Sequence, residues 1–426
     1  MDPFGASAAI FVGTYALIAS EKVHRTVAAL LGAVAILLIR LLPQEDAFHA
    51  VDFNVIFLLM SMMMVVGVLK KTGVFEWLAV KTAKLGRGHP ALILALMCGM
   101  TGVMSAFLDN VTTVVLTVPM TLFIVRLLKV DPIPFLIGQV LASNIGGTAT
   151  LIGDPPNIMV GSRAGMDFMQ FTSHVAPIAV VLLALYCGGM ALFFQPRMKA
   201  TADLRAALML ESEEGLIKDP RLLRIGLAVL AIIIVGFMFH GALGYEAATV
   251  ALAGALLLIV LARQEIQQIL VEEVEWTSLL FFVGLFIVVE GLVIGGVIAR
   301  LADAALTLTG GNLTATTLLI LWMSGVLSAI VDNIPYTATM LPLVEHLSQS
   351  MPAVPLWIAL ALGADLGGNA TIIGASANVV VAGMAERQGY PISFWRFMKW
   401  GVPVTLVNLV ACTGYLWIRY LVGTGS

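Results

Sequence analysis

Apolar runs long enough to cross a bilayer recur from one end of this chain to the other, for example at residues 222–239, 247–261 and 402–418. A helix needs roughly 17–25 such residues to cross the hydrocarbon layer. A water-soluble fold would carry about twice the charge found here: 60% of the 426 residues are hydrophobic and only 12% are charged. Inside a bilayer an unpaired peptide group finds no water, so each run must pair its backbone internally as a helix. The chain is expected to be an all-α polytopic membrane protein. It opens MDPFG with no basic stretch, so residues 6–20 are read as a mature span and not as a cleaved signal.

Orientation follows from Lys and Arg, which collect in cytoplasmic loops. One arrangement places 19 of the 23 basic residues on a single side and leaves Arg40, Arg163, Arg300 and Arg419 on the other. It uses ten spans, near 6–20, 25–42, 53–70, 133–162, 174–194, 222–240, 245–262, 276–294, 354–386 and 400–420, with both termini outside the cell's inner (plasma) membrane. Segments 90–128 and 312–348 then enter and leave from the same side, as re-entrant helical hairpins. Two full spans in each of those segments would spread the basic residues more evenly between the sides.

The chain also repeats. SAFLDNVTTVVLTVPM at 105–120 matches SAIVDNIPYTATMLPL at 328–343, and NIGGTATLIGDPPN at 144–157 matches DLGGNATIIGASAN at 365–378. The offsets are 223 and 221 residues, in the same order. We therefore expect two inverted-topology repeats, 1–194 and 225–426, joined by a short amphipathic cytoplasmic linker at 195–224. Each repeat holds five spans, one of them broken (133–162 and 354–386), and one hairpin.

The second matched pair is helix-breaking and polar, yet it lies between apolar segments. Non-helical backbone at membrane depth is tolerated where it lines a polar interior, and paired glycine-rich interruptions mark a transporter's binding site. Gly146, Gly147, Gly367 and Gly368 supply the interruptions. Asp154-Pro155 reads as an N-cap and first helical residue restarting a half-helix, with Ser376 in the equivalent role.

Ionisable side chains inside a membrane are costly and mark function. The candidates are Asp109-Asn110 and Asp332-Asn333 at the hairpin tips, and Asp154 and Asp365 within the breaks, with Asn144, Asn157, Asn369, Asn378, Thr148, Thr150 and Thr371 beside them. These form one proposed solute and ion site. Asp109, Asp332, Asp154, Asp365 and, in span 276–294, Glu290 are the proton-coupling candidates. No Lys or Arg falls in these segments, so the site suits protons, a cation or a neutral polar solute better than a multiply charged anion.

Other features carry less. Cys98, Cys187 and Cys412 lie in separate apolar segments and suggest neither a disulfide nor a zinc site. Met60–Met64 reads as packing, and the six histidines as residues near span ends. There is no phosphate-binding loop or dinucleotide fingerprint, so no enzyme, cofactor, bound metal or nucleic-acid partner is expected.

At SAFLDNVTTVVLTVP, SNIGGTATLIGDPPN, DNIPYTATMLP and GGNATIIGASANVVVAGMAE the sequence resembles the ion transporter superfamily. The match is to the group of arsenite permeases, NhaD-type sodium–proton antiporters and the P-protein branch. The resemblance runs from Phe53 to the C-terminus. It implies a homodimer and an elevator motion. It also implies a site at Asp109, Asn110, Asn144, Gly146, Gly147, Thr148, Asp154 and Asn157, matched by Asp332, Asn333, Asp365, Gly367, Gly368, Asn369 and Asn378. The expected activity is proton-coupled efflux of arsenite or antimonite. Sodium–proton exchange and anion movement are the alternatives, and a cytoplasmic ATPase subunit is a possible partner.

Overall fold

A computed structural model describes residues 2–20 and 22–422. Every regular element among the described residues is helical. Seven helices are long and apolar enough to cross a membrane: Phe53–Lys70, Asn110–Leu128, Phe168–Phe194, Pro220–Leu243, Trp276–Ile294, Ala353–Ala370 and Phe394–Leu421. Shorter apolar helices, among them Pro3–Ser20, Arg25–Leu38, Pro90–Ser105, Ile133–Gly147, Ala247–Ala262 and Leu313–Leu327, fill the spaces between them.

Local sequence sets the starts. Asp52, Asp167, Asp219 and Asn312 each accept backbone N–H bonds at the head of a helix, and Asp167 forms a full capping box with Gln170. Pro90 and Pro220 stand in the first turn, where the missing N–H costs nothing. The methionine run packs as expected, with Met62 and Met64 buried in the core. His240 lies in the last turn of Pro220–Leu243, near a span end. It is buried, its Nε2 accepts from the Phe168 N–H at 3.0 Å, and its Nδ1 lies 2.7 Å from the Tyr245 carbonyl.

The order of helices repeats. Phe53–Lys70, Pro90–Ser105, Asn110–Leu128, Ile133–Gly147 and Pro155–Ala164 are followed 220 to 223 residues later by Trp276–Ile294, Leu313–Leu327, Asn333–Leu347, Ala353–Gly367 and Ser376–Arg387. The halves cross-brace in matching fashion. Arg25–Leu38 packs on Trp276–Ile294, and Ala247–Ala262 packs on Phe53–Lys70. The expected spans differ from the helices in detail. Span 25–42 ends as a helix at Leu38 and is followed by the short helix Gln44–His49. The amphipathic helices Val74–Leu85 and Val297–Thr309 precede the two hairpin segments. Their mixed faces escape a search for continuous apolar runs.

Each hairpin's first arm lies against a broken helix. A methyl group built on Gly146 would fall 2.0 Å from the Gly102 carbonyl oxygen, and one on Gly367 would fall 2.6 Å from that of Gly325. Only hydrogen at these positions allows backbone-to-backbone approach.

Candidate functional site

The two hairpin turns and the two helix breaks meet. Asp109 stands between Pro90–Ser105 and Asn110–Leu128, and Asp332 between Leu313–Leu327 and Asn333–Leu347. The breaks are residues 148–154, between Ile133–Gly147 and Pro155–Ala164, and residues 368–375, between Ala353–Gly367 and Ser376–Arg387.

Breaking a helix frees carbonyls at the end of its first half, and buried carbonyls need donors. One asparagine answers this need in each half. Asn157 Nδ2 donates to the carbonyls of Gly147 (3.2 Å) and Thr150 (3.0 Å). Asn378 Nδ2 donates to those of Gly368 (2.8 Å) and Thr371 (2.8 Å). The hydroxyls of Thr150 and Thr371 then fasten each break to its hairpin, through the carbonyls of Ala106 and Ala329. The breaks are built structures, fixed by side chains that the sequence placed among its candidates.

A chain of amides joins the halves. Asn144 Nδ2 donates to Asn369 Oδ1 (2.9 Å) and to Asn378 Oδ1 (3.1 Å). Asn110 Nδ2 donates to Asn144 Oδ1 (3.2 Å) and to Asp154 Oδ2 (2.7 Å). Asn333 Nδ2 reaches both Asp154 oxygens at 3.4 Å. Asp154 thus receives an amide from each hairpin tip. All of these side chains are buried.

The capping expectations need correction. Asp154 occupies the N-cap position of Pro155–Ala164, but its carboxylate makes no capping bond, because it is turned to the two tip asparagines. Ser376 is not the cap of its half-helix. Ala375 takes that position and Ser376 is the first helical residue. The matched motifs explain this, since GDPPN aligns with GASAN and sets Asp154 opposite Ala375. Asp109 and Asp332 do cap, accepting from the N–H groups of Thr112 (2.9 Å) and Ile334 (3.0 Å).

Asp365 is the other carboxylate in a break, and it lies within electrostatic reach of Asp154. Its carboxyl group faces Thr148 and Asn157. Their donors are committed elsewhere: Thr148 Oγ1 donates to the Asn144 carbonyl, and Asn157 Nδ2 serves the break. Neither Asp365 oxygen receives a hydrogen bond among the described residues, and neither does Asn157 Oδ1. The centre of the protein therefore holds a surplus of buried acceptors. Leaving one buried acceptor without a donor costs about 1–3 kcal/mol, and more for a charged group.

Glu290 does not join this cluster. Its neighbouring charges are Arg163, Glu345 and Asp46, away from the hairpin tips. One contributor was missed. Arg25 Nη1 lies 3.7 Å from Asp332 Oδ2, so the expectation of a site without a basic residue fails at its rim. Arg25 is far from the motifs in sequence, and only its place at the head of a helix marks it.

A family model described as a citrate transporter matches residues 15–363. The chain belongs to the citrate transporter (CitMHS) family. Other proteins are similar to this chain over most of its length. The chain is 47% identical over 421 residues to an uncharacterized transporter of Mycobacterium tuberculosis, covering 97% of this chain and 98% of that one. It is 35% identical to the P protein of Mus musculus, covering 97% of this chain and 60% of that longer one. The crystal structure of the Alcanivorax borkumensis YdaH transporter shares the fold, with a TM-score of 0.63 at 15% identity over 89% of this chain and 88% of that one. The protein is a multi-pass membrane transporter and not an enzyme, in keeping with the resemblance to a permease group of the ion transporter superfamily.

Proposed function

We propose that the protein is a proton-coupled secondary transporter that exports arsenite or antimonite. The solute would bind where the hairpin tips meet the helix breaks. One observation carries this reading: among the described residues Asp365 Oδ1 and Oδ2 and Asn157 Oδ1 are buried and lack donors, beside Asp154. Such a centre is completed by something that brings protons or positive charge. Arsenite at neutral pH is mainly an uncharged trihydroxide with three O–H donors, so it satisfies acceptors without needing a buried cation. A proton on either carboxylate competes with it, which links the two fluxes. The solute would cross by an elevator motion of the hairpins and broken helices, within a homodimer.

Sodium–proton exchange uses the same carboxylates and is the alternative. A carboxylate solute is a second reading, favoured by Arg25 at the rim and by the name of the family. Flux of arsenite, sodium and citrate into liposomes holding the purified protein separates them. Saturable arsenite flux that collapses with the pH gradient is expected. Citrate flux with no response to arsenite would overturn the reading.

A further inference from the structure

A cavity of about 400 Å³ adjoins the second hairpin tip, lined in part by Tyr15, His24, Arg25, Asp332, Ser376 and Val380. From its wall Arg25 reaches three separate elements, two of which, at Asp332 and Ser376, also line the cavity. Its Nη1 donates to Ser376 Oγ at 2.5 Å, on the second half-helix, and lies 3.7 Å from Asp332 Oδ2, at the hairpin tip. Its Nη2 donates to Ser278 Oγ at 3.4 Å, on Trp276–Ile294, and the guanidinium sits 5.4 Å from the centre of the Phe281 ring on that helix. Ser376 in turn donates to Asp332 at 2.7 Å.

The first half has no counterpart. Pro155 stands where the second half has Ser376, so it brings no hydroxyl. Asp109 stands where the second half has Asp332, and among the described residues it forms no ion pair. The two tips are thus held differently. The first is held by its cap and by bonds to its own half and its break, with no arginine among them. The second is also tied to a helix of the cross-braced frame, and Tyr15 adds bonds to the Pro335 carbonyl (2.5 Å) and Thr339 Oγ1 (2.6 Å).

We propose that Arg25 is a positioning residue for the transport site: it closes the rim at the second hairpin by pinning Asp332 and Ser376 to Trp276–Ile294. Asn333, the neighbour of Asp332, then meets Asp154. A planar guanidinium suits this task because its five N–H donors serve several partners at once, which an ammonium on a flexible stem does not. The Arg25–Asp332 contact is longer than a charge-assisted hydrogen bond, which runs at about 2.7–2.9 Å. The pair therefore holds the rim by attraction while leaving it able to open. The groups facing Asp332 are Arg25, His24, Tyr15, Ser376 and, through the site, Asp154. Glu275 is linked to Arg25 through Ser278.

The inference rests on the transporter reading but not on which solute is carried, and its test needs no solute. Ile334, whose N–H is held by Asp332, is only 7% exposed. A cysteine is placed there (Ile334→Cys) in a chain with Cys98, Cys187 and Cys412 replaced by Ala, and its alkylation is timed in liposomes. Arg25→Gln should speed alkylation about tenfold or more, the shift expected when a hydrogen bond involving a charged group is lost. Asp332→Asn breaks the same contact from the other side and should do likewise, so the test survives a folding failure of either variant. The reversed pair Arg25→Asp with Asp332→Arg should return the rate toward that of the parent. An unchanged rate in both single variants, or a reversed pair as reactive as Arg25→Asp alone, overturns the proposal. Faster alkylation in a protein that carries none of the three solutes would refute the proposed solutes and leave the role of Arg25 standing.

Discussion

Asn378 gives the sharpest test of how the broken helix is built. Its amide N–H groups serve two carbonyls at 2.8 Å each, and its Oδ1 accepts from Asn144 at 3.1 Å. Asn378→Ala strips both carbonyls of a donor in a place water does not reach. Each loss costs about 1–3 kcal/mol, so the total is roughly 2–5 kcal/mol after partial relaxation. Asn378→Asp keeps the volume and the acceptor but turns an oxygen toward the two carbonyls. It should be at least as damaging as Ala. Thermal unfolding in detergent, followed by intrinsic fluorescence, reads the order directly: wild type above Ala, and Ala no lower than Asp. A chain this long shifts on the order of 1 °C per kcal/mol if it unfolds as one unit, so the fall is measurable. An Asp variant as stable as wild type would mean that the side chain only fills space, and the account of the breaks would fail.

Further outcomes follow from other positions. Gly146→Ala puts a methyl group 2.0 Å from the Gly102 carbonyl and should cost folded yield in detergent, whereas Gly188→Ala meets nothing within 4 Å and should be neutral in the same assay. Asp365→Asn keeps the side chain's volume but removes a carboxyl that can take up and release a proton, so the protein should still fold while solute-driven proton movement stops. Asp109→Ala loses a cap worth about 1 kcal/mol, whereas Asp109→Asn keeps it, so thermal unfolding should separate the two. Glu290→Gln should leave solute flux intact, since that side chain sits with Arg163, Glu345 and Asp46.

Much of the architecture was legible because a bilayer leaves few choices. Long apolar runs must be helices, and paired GG-x-A-T motifs advertise their own interruptions. The legible polar residues were those whose motifs occur twice, such as Asn157 with Asn378 and Thr150 with Thr371. What stayed hidden depended on side-chain direction. Asp154 sits at a helix head, as its proline signals, yet it faces the hairpin tips, and no local pattern encodes that turn. Ser376 looked like a cap until the register placed Ala375 there. Arg25 was hidden most deeply. It reads as one more basic residue at the start of a span, and its partners Ser278, Asp332 and Ser376 lie more than 250 residues away. The packing partners of amphipathic helices such as Val74–Leu85 are likewise set by tertiary contacts and leave no continuous signal.

The central claim is that the acceptor-rich meeting point of tips and breaks is where solute and proton compete. The most direct measurement uses liposomes with an acidic interior, a pH dye and the wild-type protein beside Asp365→Asn. Adding arsenite should release the interior protons through wild type and not through the variant. Release of equal size through both would contradict the claim and place the coupling elsewhere in the chain.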